Sequence, residues 1–113
     1  MSKIEHDRPR HIAFQIDAPE PLSRAAVADA VRAAAKALGW PEPERPRLTR
    51  YRFPHGAVRV PHERQRGAVA LLQGLRQATD KGRAIEFQVT TLGASGTLEA
   101  LTGRLGILDG RES

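Results

Sequence analysis

The sequence predicts an α+β fold: a two-layer α/β sandwich in which helices cover one face of a four-stranded antiparallel sheet. Three observations carry that expectation. Apolar residues alternate with period two in four short stretches. They recur with helical period in three others. The two kinds interleave in the order β-α-β-β-α-β-α. At 113 residues the chain has room for one domain with a modest core and none for two enzymatic domains. The domain is expected over residues 10–108, between a flexible N-terminus at 1–9 and a flexible tail at 109–113.

Residues 10–16 read as the first strand, with Ile12, Phe14 and Ile16 on one face and His11, Ala13 and Gln15 on the other. Pro19 and Pro21 end it. Ser23 then N-caps an alanine-rich helix reaching about Leu38, with Val27, Val31, Ala34 and Leu38 as its stripe and Gly39 at its stop. The proline-rich connector at 40–47 cannot continue a helix. Leu48 to Phe53 and Ala57 to Val60 form a hairpin across Pro54-His55-Gly56. Tyr51, Phe53, Val58 and Val60 share its buried face, and Arg50, Arg52 and Arg59 its open face. Pro61 suits the first turn of a second helix reaching about Ala78, with Ala68, Leu71, Leu72 and Leu75 as its core stripe. After a turn at Asp80-Lys81-Gly82, residues 83–91 alternate again, Ile85, Phe87 and Val89 inward and Glu86, Gln88 and Thr90 outward. Gly93-Ala94-Ser95-Gly96 reads as a turn, and Ser95 or Thr97 caps a last helix carrying Leu98, Leu101 and Leu105. This element order is that of ferredoxin-like and RNA-recognition folds. The last helix is left for a sheet edge or part of the second face.

The formal net charge is +5, carried almost wholly by arginine: fifteen arginines against Lys3, Lys36 and Lys81. Arginine binds phosphate or carboxylate through a planar fork, whereas lysine is a hydrated point charge. Seventeen alanines point to a GC-rich genome, which by itself inflates arginine. Codon bias, however, would spread the arginines evenly. Seven of them lie between residues 45 and 66, with Glu63 the one acid in that stretch. Arg47, Arg50, Arg52, Arg59, Arg64 and Arg66 are therefore the candidate RNA-binding residues, weighed against a charged hairpin that merely resists aggregation. All aromatics but Trp40 fall on the core side of this assignment. The open face then lacks the stacking groups of a single-strand reader, and recognition of folded RNA through its backbone is expected.

No catalytic constellation emerges, and neither catalytic nor metal residues are assigned. Absent cysteine excludes disulfides, thiolate zinc sites and a cysteine nucleophile. The segment at 93–97 departs from a nucleophile elbow, because its second glycine comes one residue early and no histidine follows Ser95. The same turn is too short for a P-loop. His55 and His62 have no acid cluster beside them. No apolar run approaches the roughly 18 residues of a membrane span, and Met1 to Arg8 is too polar for a signal peptide. The expected location is cytoplasmic, with no membrane partner.

The run Thr91-Leu92-Gly93-Ala94-Ser95-Gly96-Thr97-Leu98-Glu99-Ala100-Leu101 resembles the signature near the end of ribonuclease P protein component 2, the archaeal member of a small ribonuclease P/MRP subunit family. Its signature turn corresponds to Gly93, Ser95, Gly96 and Thr97. Gly82-Arg83-Ala84-Ile85, Arg10 to Ile16, Leu22-Ser23-Arg24 and Gly56 to Val60 resemble further family segments in order, although His11 stands where the family usually has tyrosine. The resemblance covers roughly residues 10–105. It implies an RNA-recognition-like sheet and a ribonucleoprotein that removes the 5′ leader of precursor tRNA. The RNA subunit and its magnesium ions perform that hydrolysis, so the polypeptide itself would be non-catalytic and hold no cofactor. The implied partners are ribonuclease P RNA, the TIM-barrel-like protein component 3, with two copies of each protein, and other ribonuclease P proteins. Two other functions fit the element order. One is a ferredoxin-like regulatory or ligand-binding module. The other is a single-strand RNA binder outside ribonuclease P, which would need Trp40 exposed.

Overall fold

The computed structural model describes residues 8–108. Residues 1–7 of the expected flexible N-terminus and the expected tail at 109–113 lie outside it. Strands β1 (Pro9–Asp17), β2 (Arg47–Arg52), β3 (His55–Pro61) and β6 (Gln88–Ser95) form an antiparallel sheet of order β2-β3-β1-β6. Helices α1 (Arg24–Ala37) and α2 (Gln65–Gly74) pack on one face. The core lies between these layers. Ile12, Phe14, Ile16, Val58, Val60 and Val89 meet Val27, Val31 and Ala35 of α1 and Ala68, Leu71 and Leu72 of α2. The expected α+β sandwich is therefore the observed one. A third helix, α3 (Leu98–Leu105), follows β6.

Local chemistry explains the boundaries. Ser23 Oγ accepts from Ala26 N at 3.1 Å and caps α1. Asp80 then accepts from Ser23 N at 2.9 Å and from its hydroxyl at 3.1 Å, tying the start of α1 to a distant part of the chain. At the other end Leu38 is the C-cap and is 62% exposed. The predicted stripe therefore ends one turn early, and Ala35 takes the inward position. Trp40 N donates to Ala35 O at 3.0 Å, which folds the indole back into the core at 7% exposure.

The second helix stops at Gly74, not Ala78. Leu75 adopts extended backbone, and β4 (Gln77–Asp80) pairs with β5 (Arg83–Glu86) as a separate two-stranded sheet. Lys81 and Gly82, at φ 54° and 79°, supply the two positive φ values of a tight hairpin turn. The single strand expected at 83–91 is thus two. Its inward residues Ile85 and Phe87 are buried as expected, but the strand changes partner at Phe87, whose N–H goes to Arg76 O at 2.8 Å. Glu86 consequently belongs to the hairpin and not to the open face of the main sheet.

The expected turn at 93–96 is also mostly strand. Ala13 pairs with Gly93, Ile12 with Ala94 and His11 with Ser95. Chain reversal falls on Gly96 and Thr97, and Thr97 Oγ1 caps α3 by accepting from Ala100 N at 3.2 Å. Gly56, expected in a turn, lies inside β3 opposite Phe14.

Candidate nucleic-acid interface

Cross-strand register sorts the open face of the sheet into three rows. The first is Arg47, Arg59, His11 and Ser95. The second is Arg50, Ala57, Ala13 and Gly93. The third is Arg52, His55, Gln15 and Thr90. Irregularities at Thr49 in β2 and Leu92 in β6 keep these rows in phase. Each inserts one residue, as a β-bulge does.

The middle row is covered. Helix α3 packs across β1 and β6, and Leu101, Ala13 and Ala57 are all fully buried although none belongs to the main core. Small residues beneath the helix allow this approach. A Cβ at Gly93 would already stand 3.3 Å from Arg104 Nη2 and 3.8 Å from the tips of Leu101 and Leu105. Beyond the helix, Leu108 is buried and its carbonyl accepts from Arg50 Nη1 at 3.3 Å. The last helix therefore covers part of the second face, and Arg50 is held by the segment that follows it.

The candidate arginines separate into two groups. The side chains of Arg47, Arg59 and Arg66 are exposed and make no hydrogen bond or ion pair among the described residues. Arg47 and Arg59 are direct cross-strand partners. Like charges so placed repel, and a phosphate between them would remove that penalty. Arg64 is committed internally. Its Nε donates to Glu44 Oε1 at 2.6 Å, it forms an ion pair with the same carboxylate, and its guanidinium lies 4.8 Å from the centre of the Trp40 ring. Arg45 Nε donates to Trp40 O at 2.9 Å. The connector, with a short 3-10 turn at Glu42–Glu44, is thereby clamped to the start of α2. Arg52 is exposed and has a partner.

Trp40 is not a stacking platform, being buried against Gly67 and under Arg64. Phe14 and Phe87 are buried, and Tyr51 and Phe53 pack against the core. Tyr51 donates its hydroxyl hydrogen to Leu22 O at 2.6 Å. Burial, aided by Asp80, pushes its pKa up to about 12. Among the described residues no Phe, Tyr or Trp is exposed, Tyr51 and Phe53 being half-buried, and no cluster of three or more His, Cys, Asp or Glu could hold a metal. No helix is long and apolar enough to cross a membrane.

His11 sits in the first row with its Nδ1 buried and unpartnered. Desolvation holds its pKa below the ordinary 6.5, and Arg59 and Arg10 lower it further against an opposing Glu99. The unfolded chain, titrating near 6.5, takes up a proton there that the fold resists. Stability should therefore be flat above that pH and fall as pH drops below it. His11→Phe, which removes the titrating group and the orphaned nitrogen, should flatten this limb in denaturant titrations compared from pH 7.5 to about 5. An unchanged slope would move the effect to another group.

No family model and no curated protein matches the chain. Among solved structures it is similar to a chain in the cryo-EM structure of yeast ribonuclease MRP, at 12% identity and a TM-score of 0.50. The match covers 94% of this chain and 92% of that one. At that identity the likeness concerns the fold.

Proposed function

We propose that the chain is an RNA-binding protein subunit of a ribonuclease P/MRP-type ribonucleoprotein, corresponding to archaeal ribonuclease P protein component 2. One observation carries the proposal: the fold matches nearly end to end a chain found in yeast ribonuclease MRP. The cross-strand pair of unpartnered arginines supports it, because a protein serving a ribozyme needs cations that relieve phosphate repulsion. In this role the RNA subunit and its magnesium ions cleave the 5′ leader from precursor tRNA. The protein would hold the RNA in its active shape and assemble with component 3 and the other ribonuclease P proteins. Five of the six candidate residues then divide by duty: Arg47, Arg59 and Arg66 face the RNA, Arg64 and Arg50 fix the scaffold behind them, and Arg52 is given neither duty.

The rival functions have less support. A ligand-binding module wants a closed, mostly apolar pocket, whereas the grooves here are open and lined largely by charged and polar residues. A stacking reader lacks its aromatic surface. The proposal is tested by capturing the tagged chain from its own cells and sequencing the RNA that accompanies it. Enrichment of ribonuclease P RNA is expected. Recovery of no RNA, or only of unrelated messages, would overturn it.

A further inference from the structure

Two grooves flank β2 at the edge of the sheet and meet its open face at Arg47 and Arg59. One, of about 380 Å³, runs between α1 and β2 and is lined by Arg24, Arg32, Arg45 and Arg47, with Glu42 the single acid. The other, of about 700 Å³, lies between the connector and β3 and includes Arg45, Arg47 and Arg59 together with Glu44, which is paired with Arg64, and Glu63. Arg45 and Arg47 belong to both, so the grooves are continuous around the free edge of β2. Three of the lining arginines are already oriented, Arg32 by an exposed ion pair of its Nη1 with Asp29 Oδ1 at 2.6 Å. Arg24 Nη2 donates to Leu48 O at 3.0 Å and Arg45 Nε to Trp40 O, which leaves the other donors of each fork available. Arg24 and Arg32 are two helical turns apart on one face of α1, with the small Ala28 between them. That spacing keeps the groove floor open.

We propose that this edge is a phosphate track for the backbone of helical RNA, running from α1 over the β2 edge to Arg59. The inference rests on the RNA-binding function proposed above and places the RNA at the sheet edge as well as on the arginine pair. Its chemistry fits a duplex backbone: cationic forks in a row, no stacking surface, and a middle row of the sheet already closed by α3.

The test uses the full chain and a short RNA hairpin with a continuous stem, titrated across salt. Arg32→Gln keeps a good helix former and removes one charge from the far end of the track. It should make the slope of log affinity against log salt shallower by about 1. Arg104→Gln, which removes one charge at the opposite edge beside Ala94, should leave the slope unchanged. Thermal melts of both variants check that the fold survives. Equal changes in the two variants would mean diffuse attraction and overturn the track. An Arg32→Gln slope equal to wild type, with binding still lost on reversing Arg47 and Arg59, would overturn the track while leaving RNA binding intact. A wild-type chain that ignores the stem, or an Arg32→Gln chain that loses only a protein partner, would also overturn it.

Discussion

Reversing the facing pair, Arg47→Glu with Arg59→Glu, should weaken binding to ribonuclease P RNA by roughly 100-fold at ordinary salt. Each arginine–phosphate hydrogen-bonded contact is worth about 1.5–3 kcal/mol, and 1.4 kcal/mol is a factor of ten. The salt slope should become shallower by about 2, one for each lost phosphate contact. Both side chains are exposed and hold nothing else in place among the described residues, so the fold should survive, and circular dichroism melts provide the control. Retained affinity with an unchanged slope would remove the pair from the interface. The same reversal at Arg64 is a poorer probe. It would break the clamp to Glu44 and Trp40, so any lost affinity would mix unfolding with binding.

A second large effect concerns packing. Gly56→Ala should cost about 1–3 kcal/mol of stability, the usual penalty for overfilling a tight core. A Cβ there would stand 2.5 Å from Phe14 Cζ, and the ring is fully buried at the centre of the sheet, so it has nowhere to go. Gly103→Ala provides the contrast. It lies in α3 with open space around its Cβ position, and the same change should stabilise by up to about 1 kcal/mol through helix propensity. Urea titrations of the two variants read both signs. Equal effects would mean that Phe14 does not seat on Gly56.

Periodicity made the sandwich legible because its pattern was redundant. Ile12, Phe14 and Ile16, or Ala68, Leu71 and Leu72, repeat often enough to fix both element type and face. Where a few residues suit two periods, legibility ended. Ala78 is buried in a strand, yet it also continues the helical spacing of Ala68, Leu71 and Leu75, so only tertiary pairing with Ile85 decides its state. Gly93-Ala94-Ser95 carries turn chemistry, but its small side chains serve a different end, the close approach of α3 to the sheet. Leu38 has helical spacing but sits at the cap, where the chain leaves the core.

The candidate site was legible as an arginine cluster and illegible as a geometry. Counting found the stretch from 45 to 66, and strand alternation put Arg50, Arg52 and Arg59 on one face. It did not separate exposed Arg47 and Arg59 from Arg64, whose partners Glu44 and Trp40 come from a connector without periodic signal. Nor did it bring Arg24 and Arg32 to the edge of β2. Their helical spacing is visible in the sequence, but their juxtaposition with Arg45 and Arg47 depends on the packing of α1.

The central claim is that this chain acts by supporting a catalytic RNA with positive charge. The direct measurement is cleavage of precursor tRNA reconstituted from ribonuclease P RNA and component 3, with and without this chain, across magnesium concentrations. Addition of the chain should raise the rate and lower the magnesium needed for half-maximal cleavage, and the Arg47→Glu, Arg59→Glu form should restore neither. Identical magnesium curves with and without the wild-type chain would contradict the claim.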